Sequence, residues 1–165
     1  MPSLQEAMQI YKTQLQAGAV QTAYRGLMEY MLGLRTHLMK KYPQHVVTSL
    51  YQGYMDMTYF AFMPQTLKER GLKVAIVFLY EDFRFEVSLV GYNKQYQKTY
   101  WQLIKDSGWD KYRLVHTLKG EDAIISHTLM DNPDFADLNT LTERIEDGTL
   151  ALIADVEEFL SKHMD

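Results

Sequence analysis

The feature that most constrains this chain is a pair of matched alternations in residues 72–92. Leu72–Tyr80 and Phe83–Tyr92 are rich in Val, Ile and Phe, as strands are. Folded as a hairpin about Glu81-Asp82, they set Tyr80 against Phe83, Phe78 against Phe85, Ile76 against Val87 and Val74 against Leu89. All four pairs are apolar. The other face sets Leu79 against Arg84, Val77 against Glu86 and Ala75 against Ser88. A slip of one residue would mix the two sets, so the pattern dictates the register. Glu-Asp lacks the Gly that a tight two-residue turn favours, and a four-residue loop in the same register is an equal expectation.

A third strand precedes the hairpin. Side chains of Tyr54–Met63 alternate between two faces in extended backbone. Met55, Met57, Tyr59, Ala61 and Met63 are expected toward the core. Tyr54, Asp56, Thr58, Phe60 and Phe62, which include an acid and a hydroxyl, are expected toward water or a pocket. The three strands would then offer one oily face and one mixed face carrying Asp56, Thr58, Arg84, Glu86 and Ser88. Tyr54, Asp56, Thr58, Arg84, Glu86 and Lys94 are the candidate ligand-binding residues. Cross-strand ion pairs on open sheets are common and weak, so a solvated face is the simpler account of the same residues.

Helical spacing brackets the strands. Leu4, Met8, Tyr11 and Leu15 make one stripe over residues 3–17, with Ser3 and Glu6 as a capping box. Val20, Tyr24, Leu27, Met31, Leu34 and Leu38 make another over residues 20–41, which Pro43 ends. Together they read as an antiparallel helix pair. Val46-Val47 has strand character. A short helical turn is expected over 64–71 and a helix capped by Asn93 to about Ser107. Two short strands follow at 112–118 and 122–130. A last helix carries Leu141, Ile145, Leu152, Val156 and Phe159, with a break expected near Gly148. The fold expected is α+β in one domain, 1–165: an antiparallel sheet of about five strands, with the helix pair and further helices on its oily face.

At 165 residues the chain is long enough to bury roughly 70% of its unfolded surface without a metal or disulfide staple. It has no Cys, which removes disulfides, thiol catalysis and Cys-ligated zinc. No basic segment followed by an apolar run opens it, and no apolar run approaches a membrane span, so a cytoplasmic protein without membrane contact is expected. Charge is uneven. Residues 92–120 hold six bases and two acids, while residues 121–165 hold two bases and twelve acids. The acidic last third is expected either against the basic middle or in water. Lys94, Lys98, Lys105, Lys111 and Arg113 form a candidate basic patch for nucleic acid; a solvated helix face is the more ordinary reading.

Chemistry-bearing motifs are sparse. No two of the five His have the spacing of a metal pair, and there is no Gly-rich phosphate loop and no nucleophile elbow. Asp131–Asp137 lacks the ordered spacing and closing Glu of a calcium loop. No metal site and no cofactor are therefore expected. A restriction-endonuclease-like order of elements would use Asp56 and Glu86 for a divalent ion, but the third strand reads Phe85-Glu86-Val87-Ser88, without the Lys two residues after the Glu. Lys94 would have to stand in.

The run Tyr51–Phe60, then Leu72–Phe78, then Gly91-Tyr92-Asn93-Lys94 resembles a family of small bacterial proteins of unknown function over nearly the whole chain. The resemblance implies an intracellular bacterial protein and assigns no residue a role. Two functions are weighed. One is a non-catalytic binding module that uses the mixed sheet face for a ligand, a protein partner or a second copy. The other is a metal-dependent hydrolase, of nuclease type, built on Asp56, Glu86 and Lys94.

Overall fold

The computed structural model describes residues 1–164. The hairpin forms in the expected register: β3 (Leu72–Leu79) and β4 (Arg84–Gly91) pair Phe78 with Phe85, Ile76 with Val87 and Val77 with Glu86. Four residues, Tyr80–Phe83, join them, closed by a bond from the Phe83 N–H to the Tyr80 carbonyl at 3.2 Å. Four more strands extend the hairpin: β1 (Val46–Val47), β2 (Met57–Met63), β5 (Arg113–Leu114) and β6 (Ala123–Asp131). The six lie in the order β1-β2-β3-β4-β6-β5, and every neighbouring pair is antiparallel.

The faces of β2 are the reverse of the expectation. Thr58, Phe60 and Phe62 pair with Phe78, Ile76 and Val74 and are fully buried on the oily face, while Met57 and Tyr59 lie on the other face and stay partly exposed. Two buried Phe rings outweigh the hydroxyl of Thr58 in deciding which side goes inward. That hydroxyl is satisfied locally: it donates to the Gln52 carbonyl at 2.6 Å and shares a bond with Tyr80 Oη at 2.7 Å. Thr58 therefore leaves the mixed face.

The helices are α1 (Leu4–Ala17), α2 (Ala19–Lys41), the short α3 (Gln65–Lys68), α4 (Lys94–Ser107) and α5 (Leu138–His163), and α2, α4 and α5 cover the oily face. Leu27, Met31, Leu34 and Leu38 of α2, Tyr100 and Ile104 of α4, and Leu141, Ile145, Leu152 and Val156 of α5 join the inward residues of the sheet in one core. At Gly91 a side chain would meet the backbone nitrogen of Gln97 at 2.5 Å, so α4 lies on the sheet at a distance only Gly permits.

α5 is continuous through Gly148, contrary to the expected break. A Cβ there would stand 2.3 Å from Leu129 Cδ2, so this Gly makes room for a β6 side chain. α1 differs too from a packed antiparallel partner of α2. It buries none of its residues, and only Gly18, at φ 88°, separates the two helices. Among the described residues, no helix is long and apolar enough to cross a membrane.

Candidate functional site

The expected site residues do not form one group. Arg84 and Glu86 do meet on the open sheet face: Arg84 Nε donates to Glu86 Oε2 at 3.2 Å, and Arg113 approaches the other carboxylate oxygen at 3.9 Å. Beside them Ser88 and Ser126 share a hydrogen bond at 2.9 Å. Glu86 is buried between its two Arg partners, so this face spends its charges internally.

Asp56 is elsewhere. It lies one residue outside β2, and its carbonyl accepts from the Tyr80 N–H, at the turn end of the hairpin. Tyr59, three residues on, is level with Val77 and Glu86. Two strand spacings and three residues put the Cα atoms of Asp56 and Glu86 about 14 Å apart, too far for one divalent ion to draw on both carboxylates. The Asp56 carboxylate accepts the Tyr54 N–H at 2.9 Å; that bond, with one from the Met57 N–H, holds it below the usual carboxylate range. It fastens a bend in which Met55 takes φ 64°.

Lys94 opens α4 at the far end of β4. Its ammonium binds the carbonyls of Leu118 and Glu121 and pairs with Asp122. Among the described residues, no three of His, Asp and Glu gather in a way that could hold a metal ion. The basic patch is largely engaged as well. Lys111 pairs with Asp155 at 2.9 Å, Lys105 lies over the Trp101 ring and Arg113 faces Glu86, while Lys98 is exposed.

A large cavity lies on the helical side. A cleft of about 1380 Å³ runs between α2, the start of α5 and the tip of the β3–β4 hairpin. Its floor is a stripe of α2: Ala23, Gly26, Tyr30, Gly33 and His37. At 100° per residue these five fall within about 80° of the helix surface. All but Tyr30 are exposed, and a Cβ at Gly26 or Gly33 would meet nothing within 4 Å. The opposite wall is aromatic. Phe78 packs edge-on against Phe83 at 5.2 Å, Phe83 against Phe135 at 6.3 Å, and Tyr24 stacks with Tyr80 at 6.3 Å. At the mouth stand Met55 and Phe83, 48% and 47% exposed. Tyr54 is the exposed neighbour of Met55 in the bend that Asp56 fastens.

The far end of the cleft is polar. Glu146 of α5 is buried and joins three groups of α2 and its cap: His37 Nε2 at 2.5 Å, Lys41 Nζ at 2.6 Å and Tyr42 Oη at 3.2 Å. Burial alone would raise this carboxyl; the bonds from Lys41 and His37 outweigh it and leave it below its ordinary value. The same carboxylate raises Lys41. One turn earlier, Thr142 shares a bond with Tyr30 Oη at 3.0 Å. A His held by a carboxylate can serve as a general base. The hydroxyl that joins this cluster, Tyr42, gives its proton to Glu146, so the contacts read as a clamp between α2 and α5.

Sequence reasoning missed these residues for two reasons. The small stripe of α2 was legible in its spacing, but Gly and Ala at the surface of a helix draw no notice. The pairing of His37 with Glu146, 109 positions apart, has no local signature.

No curated protein and no solved structure matches this chain. A family model does match, over residues 4–160, and the chain accordingly belongs to the family of the domain of unknown function DUF7000.

Proposed function

We propose that this protein is a non-catalytic binding module, and that its binding surface is the cleft between α2, α5 and the hairpin tip. The observation that carries this reading is the pairing of a floor without side chains, at Gly26 and Gly33, with an aromatic wall. A large concave site lined by apolar and aromatic side chains with a few polar groups at one end is the ordinary form of a binding site. The cleft exceeds the 300–1,000 Å³ of ordinary small-molecule pockets, and its bare helical floor suits the close approach of another helix. An amphipathic helical segment is therefore the class of ligand it fits best.

Two of the residues first considered, Tyr54 and Asp56, keep a part in this reading as the bend at the mouth. Arg84, Glu86 and Lys94 support it less, since each is engaged within the chain. The hydrolase reading loses its geometric basis with the separation of Asp56 from Glu86. A bacterial, cytoplasmic setting belongs to the same proposal.

The test uses the apolar dye anilinonaphthalenesulfonate at low chain concentration. Its fluorescence should rise on binding, Gly33→Trp should abolish the rise by filling the floor, and Met57→Lys on the open sheet face should leave it unchanged. Loss with Met57→Lys and retention with Gly33→Trp would move the site back to the sheet.

A further inference from the structure

α1 is a helix whose apolar stripe is exposed over its first three positions, and only Leu15, beside the junction with α2, is half-buried. Leu4, Met8, Tyr11 and Leu15 lie along one line of it; Leu4 is 79% exposed, Met8 51% and Tyr11 44%. Its ends are nevertheless fully built. The Ser3 N–H donates to Glu6 Oε2 at 2.7 Å, the Glu6 N–H donates back to Ser3 Oγ at 3.2 Å, and the Gly18 N–H closes the last turn. A helix of 14 residues, however well capped, is marginal in water and is stabilised by burying its stripe. α1 also lies inside the stretch that the family model matches, so it is part of the domain.

The same chain has an open cleft whose floor is helical and, at Gly26 and Gly33, without side chains. α1 cannot turn back onto α2 to fill it. Antiparallel helices need a connection of about two to five residues, and here Gly18 is alone between them, with its N–H bonded into α1 and its carbonyl bonded to Thr22 of α2. A second copy has no such restriction.

Resting on the reading of the cleft as a binding surface, we propose that α1 of one copy occupies the cleft of another, and the reverse, so that the protein is a two-fold dimer with exchanged N-terminal helices. Reciprocal exchange satisfies both unpartnered surfaces at once and closes the assembly. The lengths agree: α1 spans about 21 Å and the α2 stripe from Ala23 to His37 spans the same. The area agrees as well. A helix of that length and about 12 Å across has roughly 800 Å² of side wall. Burying half of it and an equal area of cleft, in both copies, covers about 1,600 Å² in total, the size of a standard stable interface. α1 carries one acid, Glu6, and one base, Lys12, and so has no net charge to be repelled by the acidic rim of Glu29, Glu81 and Glu143 beside Lys41.

The test is sedimentation equilibrium of the full chain in the micromolar range, alone and with Met8→Glu or Gly33→Trp. Neither position is buried, and circular dichroism checks that both variants keep the fold. The expected result is twice the chain mass for the natural sequence and a single chain for each variant. A natural chain that stays monomeric, or a dimer that survives both substitutions, overturns the proposal. The dye experiment separates the two readings. A monomer whose cleft still takes the dye, in a manner blocked by Gly33→Trp, keeps the binding module and removes only the exchanged helix.

Discussion

Glu146 shows how much one side chain decides here. It is the buried carboxylate that joins α2 to α5, and its three donors come from a single turn of α2 and its cap. Its folded pKa is lowered, so the stability it contributes is fully present above the unfolded value of about 4.3 and is lost as pH falls through the folded value. Glu146→Gln should therefore cost about 1.5 kcal/mol at neutral pH, given partners that are themselves half exposed. The gap in melting temperature between the natural chain and the variant should close on acidification below the ordinary carboxylate range. A gap that persists into acid would show that the charge of Glu146 contributes nothing.

At the scale of elements, the hairpin was legible in the sequence and the strand beside it was not. Four apolar pairs facing three mixed pairs leave β3 and β4 only one register. In β2 both sets carry large apolar residues, and the polar ones in the second set misdirect the alternation; the decision falls to the two Phe that the helices bury. Phe60→Ala should accordingly cost about 3–5 kcal/mol and Tyr59→Ala about 1 kcal/mol or less, read by chemical denaturation. The reverse order would restore the face first expected. The candidate site fell with the same strand. Arg84 and Glu86 were placed correctly by the hairpin, but Thr58 went inward with Phe60 and Asp56 fell outside the strand, at the hairpin tip. The break expected at Gly148 failed because a Gly within a helix reads as weakness, whereas here it admits Leu129 from a distant strand.

The whole molecule is a twisted-sheet platform with helices on one side, a charge-satisfied face on the other, and an unfilled cleft within the helical layer. Its acidic last third meets the basic middle at Lys94–Asp122 and Lys111–Asp155, one of the two arrangements expected, while Glu146 pairs instead with Lys41 of α2. What local sequence does not encode is that helix α1 and the cleft are both left without partners. The central claim is that the cleft, and not the sheet face, is where this domain binds. Two Met stand at the dividing point: Met55 at the mouth of the cleft and Met57 on the open face, with Met8 on α1 as a third reporter. Methyl NMR of the full chain, titrated with the same dye, should show Met55 moving while Met57 stays still, with Met8 moving alongside Met55 as α1 is displaced from the cleft. A Met57 signal that moves while Met55 is silent would contradict the account.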